Sequence, residues 1–116
     1  MFLVIAFISK VDKISNLILK MRERGFTGGT LTDSVGMKHA IPKAIDIPLV
    51  ASLHSLFRDE GEINKTLMCV VENQDQVNQL MDLIEESIGN LHNPNTGLAF
   101  SFEIDKVRGY KKQKIS

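Results

Sequence analysis

Glycine-rich segments whose backbone amides could bind an anion are the clearest chemical feature of this chain. Gly28, Gly29 and Gly36 flank a β-prone run, and a glycine lets a ligand approach the backbone because it has no side chain. The segment 90–97 is dense in turn formers and could arrange its amides as an anion-binding nest. Turn formation alone also explains glycines at such positions, so both interpretations stay open.

Lysine and arginine side chains supply the positive charge that a phosphorylated ligand would need. Lys38, Arg108 and Lys111 are the candidate phosphate partners. Arg108 and Lys111 belong to a basic C-terminal cluster that also contains Lys112 and Lys114. Such a cluster is consistent with a solvated tail or with a phosphate-binding site.

The residue types that perform catalysis do not combine into a recognisable site. His39, His54 and His92 have no Cys, Asp or Glu at metal-ligand spacing. Cys69 lies in an apolar run, which should raise its pKa rather than activate the thiol. No GxxxxGK(S/T) phosphate-binding motif occurs. We therefore expect a binding protein without catalytic residues or a metal site, and not an enzyme.

Length and composition predict one domain covering residues 1–116. Its 14 basic and 14 acidic residues give a formal net charge of zero, whereas a general nucleic-acid binder needs a clear excess of positive charge. The apolar run 2–8 lacks the basic flank and cleavage site of a signal peptide. No run approaches the roughly 20 apolar residues that span a bilayer. We expect a cytoplasmic protein without direct membrane insertion or nucleic-acid binding.

Hydrophobic patterning predicts an α+β fold. Strands are expected at 2–8, about 27–35, 64–71 and 98–104, with amphipathic helices after the first and third strands. Gly25 and Gly89 end the two helices, and Asn73 caps the start of the second. This order predicts a ferredoxin-like βαββαβ domain, in which two helices cover one face of an antiparallel four-stranded sheet.

The face of the sheet that the helices cover and the face that they leave open lead to separate expectations. The alternation of the last strand predicts that its apolar residues point into the core and that Ala99, Ser101 and Glu103 point outward. The residues expected to point inward are Leu98, Phe100, Phe102 and Ile104. On the face without helices, alternate apolar residues of the first strand need a cover. We expect oligomerisation through that face.

Residues 37–63 form an insert that is long for a connection within a compact domain. Pro48 suits the first turn of a helix, and the apolar residues after it recur at helical spacing. This stripe consists of Leu49, Val50, Leu53, Leu56 and Phe57. It could bind a partner protein as an amphipathic helix or remain packed within the protein's own oligomer.

The run from Gly25 to Thr32, which reads Gly-Phe-Thr-Gly-Gly-Thr-Leu-Thr, resembles the second-strand entry of the P-II nitrogen-signalling proteins. Gly36 follows where that family's long T-loop begins. The segment 98–108 is similar to the family's final core strand and the basic residues that follow it. The resemblance implies a homotrimer that holds adenine nucleotides between subunits. It also implies that the T-loop, here 37–63, changes shape with the ligand and binds a transporter or enzyme.

The resemblance also implies roles for individual residues. Thr30 matches a threonine that contacts the adenine ring, and Gly97 matches a glycine of the phosphate-binding B-loop, here 89–97. Lys111 stands where a phosphate-binding basic residue is expected, and Arg108 is close to another. The nucleotide-binding residues predicted in this way are Gly28, Gly29, Thr30, Gly36, Met37, Lys38, Gly89, Gly97, Arg108 and Lys111.

The chain also departs from the family pattern. Leu98 stands where the family has a phosphate-binding lysine, and His39 stands where a T-loop arginine is usual. The insert has no tyrosine and so lacks the family's uridylylation target. The expected ligand is an adenine nucleotide (AMP, ADP, ATP or a cyclic form), and the departures argue against a triphosphate and against 2-oxoglutarate sensing.

Two alternatives share the same fold. One is a structural or interaction trimer that binds no nucleotide and keeps its insert helix packed. The other is a trimer of the divalent-cation-tolerance type. The residues of the chain favour the regulatory protein, because the glycine-rich strand entry and the long insert occur together.

Overall fold

The computed structural model describes residues 1–37 and 64–116. An antiparallel four-stranded sheet has the strand order β2-β3-β1-β4, and two helices cover one of its faces. The strands are β1 (Phe2–Ile8), β2 (Thr30–Ser34), β3 (Asn64–Val71) and β4 (Gly97–Glu103), and the helices are α1 (Ile14–Glu23), which follows a 3₁₀ turn at Val11–Lys13, and α2 (Gln74–Ile88). This arrangement confirms the predicted ferredoxin-like α+β fold. The apolar stripe of the insert lies outside the described residues.

The core lies between the central strand β1 and the two helices. Val4, Ala6 and Ile8 alternate along β1, and all three are completely buried on the helix side. The helices bury one face each, with Leu17 at the centre of the α1 face and Ile84 at that of the α2 face. Burying an aliphatic side chain of this size stabilises the fold by about 1.5–3 kcal/mol. These contacts hold the helices over β1.

The predicted helix ends are confirmed. The Asn73 side chain accepts a hydrogen bond from the Gln76 backbone N–H at 2.9 Å, which satisfies one of the free donors at the start of α2. Gly89 ends α2 with φ +107°, and Gly25 takes φ +90° just after α1. Positive φ is unfavourable for residues with a side chain, which explains glycine at both positions.

The large apolar side chains of β4 lie on the opposite face of the sheet from the one predicted. Its register with β1 places Phe102, Phe100 and Leu98 beside Leu3, Ile5 and Phe7, on the face that the helices leave open. The exposed fractions are 59% for Leu98, 37% for Phe100 and 49% for Phe102. The expectation that they point into the core was wrong.

Ala99 takes the inward position on β4 instead. It lies directly opposite Ala6 of β1 and packs against the core. A strict alternation fixes which residues share a face, but it does not fix which of the two faces the helices cover. The larger side chains were expected in the core, whereas the sheet presents the small Ala99 side chain to it. Ile104, also expected to point inward, follows β4, and its N–H donates to the Met1 carbonyl at 2.8 Å.

The apolar face without helices is continuous across three strands, and we call it the open face. The Phe7 and Phe100 rings lie against each other there, with centroids 6.0 Å apart and planes tilted by 38°. Its apolar members are Leu3, Ile5, Phe7, Met68, Val70, Leu98, Phe100 and Phe102. A contiguous apolar surface of this kind usually marks an interaction site.

Residues 113–116, which we call the C-terminal segment, return to the loop after α1. The Ser116 N–H donates to the Arg24 carbonyl at 3.0 Å, and the Arg24 Nε donates to the Ser116 carbonyl at 3.3 Å. The Lys114 main chain lies so close to Gly25 that a side chain there would collide with it. Gly25 therefore serves two purposes, because it permits the turn after α1 and the approach of this segment.

We expect Gly25→Ala to destabilise the protein more than Gly109→Ala. The two glycines have similar positive φ values, +90° and +85°, so each alanine carries roughly 1–2 kcal/mol of backbone strain. Only at Gly25 does a new Cβ meet the Lys114 main chain, since at Gly109 no atom of residues 1–37 or 64–116 lies within 4 Å of it. Urea unfolding measures both losses. Equal decreases in the free energy of unfolding would contradict the close approach at Gly25.

Candidate functional site

Three of the predicted nucleotide-binding residues meet in a cavity of about 280 Å³ beside the C-terminal segment. Gly28 comes from the loop before β2, and Arg108 and Lys111 come from the chain after β4. We call this space the C-terminal cavity; its other lining residues are Val70, Val107, Gly109, Tyr110 and Gln113. It brings two side-chain cations together, which suits an anionic ligand.

The wall of this cavity depends on the Gln113 side chain. β2 begins its pairing with β3 at Thr30 opposite Met68, so β2 does not reach Val70 near the end of β3. The Gln113 Nε2 donates to the Val70 carbonyl at 2.9 Å, and its Oε1 accepts from the Gly28 N–H at 3.0 Å. Gln113 is only 8% exposed. Its carboxamide thus completes hydrogen bonding that a longer β2 would otherwise supply.

Gln113 was missed by the sequence analysis. It stands between Lys112 and Lys114, where a polar side chain is expected to be solvated. Its two hydrogen-bond partners, Gly28 and Val70, are 85 and 43 residues away. No local pattern in the sequence could have indicated contacts over such separations.

Tyr110, which lines the same cavity, has a buried hydroxyl. Its OH has no hydrogen-bond partner among the described residues. Leaving a buried hydroxyl without a partner costs about 1–3 kcal/mol. A bound ligand that reached this group could remove that cost.

A second group of predicted residues meets at the end of β2. Gly36, Met37 and Gly97 line a cavity of about 610 Å³. We call it the β2-exit cavity, and its other lining residues are Phe7, Ser9, Asn64, Asn95 and Leu98. Met37 is the first residue of the insert and its last described one, so this cavity adjoins the base of the insert.

The two cavities lie at opposite ends of the sheet. Gly28 precedes β2 and Gly36 follows it, and the five residues of β2 alone separate the two ends by about 13 Å. A single copy of the chain therefore does not bring Arg108 and Lys111 together with Gly36, Met37 and Gly97. The predicted site is divided into two groups.

The other predicted residues have different surroundings. A Cβ on Gly29 would meet Leu67 Cδ1 at 3.2 Å and Met21 Cε at 3.4 Å, so packing against the core accounts for this glycine. Thr30 is exposed at the start of β2. Gly89 ends α2 and lines neither cavity. Lys38 lies outside the described residues.

The segment 89–97 uses several of its amides internally. The Leu91 N–H donates to Glu85 Oε2 at 3.3 Å, and the His92 N–H donates to Asn90 Oδ1 at 2.9 Å. The Asn93 N–H donates to the Asn90 carbonyl at 3.0 Å. These three amides are thus occupied, and the nearby carboxylate is unfavourable for an anion. The predicted anion-binding nest has no support at these residues.

Cys69 lies next to the C-terminal cavity on β3. Burial raises the pKa of its thiol to about 11, and a hydrogen bond with Gln113 opposes part of this increase. The predicted direction of the shift is confirmed. At neutral pH the thiol is protonated, so it behaves as a small apolar side chain and not as a nucleophile.

The described ranges contain neither a cluster of metal ligands nor a membrane-spanning helix. Within 1–37 and 64–116, no three His, Cys, Asp or Glu side chains come together as metal ligands. In the same part of the chain, neither helix has the length and apolar character needed to cross a membrane. Besides the two cavities and the open face, the described surface has a cavity of about 340 Å³ that Gly29 lines with mostly apolar side chains, among them Phe26 and Leu31.

Comparisons with known proteins do not assign this chain to a family. No protein-family model matches it, and a search of curated proteins finds no match.

We expect Cys69 to react with iodoacetamide at pH 8 at least about 100-fold more slowly in the native protein than in the urea-unfolded chain. The thiolate is the nucleophile, and raising the pKa from 9.0 to about 11 lowers its fraction by about this factor. Burial of the sulfur slows the reaction further. Mass spectrometry of quenched samples measures both rates. Similar rates in the two states would mean that Cys69 is accessible and its pKa unshifted.

Proposed function

We propose that this protein is a P-II-like homotrimeric signalling protein that binds an adenine nucleotide between its subunits. In this proposal it is not an enzyme, and it regulates a partner protein, a transporter or another enzyme, through the 37–63 insert. Nitrogen regulation is the physiological context that the resemblance suggests. AMP, ADP, ATP and cyclic adenine nucleotides are the candidate effectors.

The division of the predicted residues between two cavities is the observation that carries this proposal. Arg108 and Lys111 lie at one end of the sheet, and Gly36, Met37 and Gly97 lie at the other. One small ligand could contact both groups only where two copies of the chain meet. An intersubunit site accounts for this division, whereas a site within one copy does not.

The open face supports the oligomer in the same proposal. Three large β4 side chains, Leu98, Phe100 and Phe102, are exposed there beside apolar residues of β1. Covering this face with other copies would remove apolar area from water at about 25 cal/mol per Å². Closed symmetry would let every copy bury the same face.

Charge supports a phosphorylated ligand. Arg108 and Lys111 are both exposed, and they line one cavity with the Gly28 backbone. An arginine guanidinium can bind two phosphate oxygens at once, and a lysine ammonium adds a compact positive charge. Hydrogen bonds to charged groups of this kind contribute about 1.5–3 kcal/mol each.

The position of Met37 supports coupling between the ligand and the insert. It lines the β2-exit cavity and is the first residue of the insert. A ligand that contacts Gly36 and Met37 in only one conformation of the insert base would favour that conformation. A partner protein that binds the apolar stripe in that conformation would then detect the ligand.

A structural trimer without nucleotide is the second candidate, and the glycines favour it. Gly28 already donates its N–H to Gln113, and the surroundings of Gly29 are explained by core packing. A Cβ on Gly97 would collide with the Phe7 carbonyl across the sheet. Each of these glycines is thus explained without a ligand.

We expect the native protein to have three times the 13.0 kDa mass of one chain in light scattering. Phe100→Glu should dissociate it, because a carboxylate on the open face cannot be buried without a partner. Asn78→Glu adds the same charge at an exposed position of α2 and should leave the mass unchanged. A native mass of one chain, or a trimer that persists in Phe100→Glu, would contradict association through this face.

Calorimetry with AMP, ADP, ATP, cyclic AMP and cyclic di-AMP tests the ligand. We expect Arg108→Ala and Lys111→Ala each to weaken binding of the tightest of these nucleotides by roughly 10- to 100-fold, because each removes a charged contact to phosphate. Lys112→Ala makes the same change in net charge outside the cavity lining and should have little effect. If none of the five nucleotides gave heat, nucleotide binding would be contradicted and the structural trimer would be the remaining candidate.

A further inference from the structure

Gln113 joins two backbone groups that belong to separate parts of the chain. It bridges the Gly28 N–H, in the loop before β2, and the Val70 carbonyl, near the end of β3. One planar carboxamide satisfies both because it carries an acceptor and a donor side by side. The protein thus presents a donor and an acceptor at a spacing that a single small planar group can bridge.

The Watson–Crick edge of adenine carries the same pair of groups. Its N6 amino group donates, as Gln113 Nε2 does, and the adjacent N1 accepts, as Gln113 Oε1 does. Hypoxanthine has a carbonyl oxygen at position 6 and a protonated N1, so its pattern is reversed. The Gly28 and Val70 backbone groups therefore complement adenine and would reject hypoxanthine.

The same cavity holds charges that could bind the phosphate of such a ligand. Arg108 and Lys111 line it together with Gly28, Val70 and Gln113. Its volume of about 280 Å³ lies just below the roughly 300–1,000 Å³ that is typical of small-molecule sites. Moving the Gln113 side chain out would enlarge it and free both backbone groups.

We propose that Gln113 is an intramolecular competitor that occupies the adenine-recognition position until a nucleotide displaces it. Displacement would also loosen the C-terminal segment, because Gln113 belongs to the chain that Arg24 and Gly25 hold. Nucleotide binding is thus coupled to release of this segment. The inference rests on the nucleotide binding proposed above and adds an autoinhibitory contact to it.

The proposal is tested by measuring the affinities of the native protein and of Gln113→Ala for AMP, ADP and ATP. Each nucleotide is compared with its inosine counterpart. Removing the competitor should tighten adenine nucleotide binding about ten-fold, since a ligand no longer replaces two existing hydrogen bonds. The inosine nucleotides should not gain in the same way. Lys112→Ala, in which the carboxamide is kept, serves as the control and should not tighten binding.

The outcomes separate this inference from the proposed function. Equal or weaker adenine nucleotide binding by Gln113→Ala would overturn the competition while leaving nucleotide binding established. An equal gain for inosine nucleotides would overturn the recognition of the adenine edge. No heat with any nucleotide, in either protein, would overturn the proposed function and this inference with it.

A measurement on the native protein covers the case in which Gln113→Ala does not fold. In ¹⁵N-labelled protein at a saturating concentration of the adenine nucleotide, the Gln113 side-chain amide resonances should move toward the positions of solvated carboxamides. The side-chain amide of Gln79, on α2, provides the reference and should not move in this way. Gln113 resonances that stay unchanged at saturation would overturn the proposal.

Discussion

The bridge from Gln113 to Gly28 and Val70 determines how the C-terminal part of this protein is held. β2 is too short to pair with the end of β3, and a buried carbonyl left there without a partner would cost about 1–3 kcal/mol. A side chain from the end of the chain provides the missing donor. The same contact places Arg108 and Lys111 beside Gly28, so the composition of the C-terminal cavity follows from it.

The elements of the fold could be predicted because their signals are local. The bounds of β1 and β3 agree with the apolar runs, which are continuous and too short for helices. Asn73 and Gly89 delimit α2 through bonds and dihedral angles within a few residues of each helix end. The ferredoxin-like order follows once these elements are in place.

Two features depend on distant parts of the chain and could not be predicted. They are the face of the sheet on which the β4 side chains lie and the role of Gln113. Phe100 and Ala99 alternate in any strand, and only pairing with β1 places Ala99 opposite Ala6 on the helix side. Gln113 has no local feature that separates it from a solvated residue of a basic tail. The predicted site residues fall into two groups, since Gly28, Arg108 and Lys111 line one cavity while Gly36, Met37 and Gly97 line another.

The glycine-rich entry to β2 has a structural purpose in the absence of any ligand. Gly25 admits the Lys114 main chain, and Gly28 donates to Gln113. A ligand that binds Gly28 and Val70 therefore exchanges hydrogen bonds and does not add new ones, so these bonds contribute little net affinity. They can still select the base, because a mismatched edge would leave both backbone groups unpaired. The free energy of binding must then come from contacts that Gln113 does not replace, which in this cavity are the charges of Arg108 and Lys111.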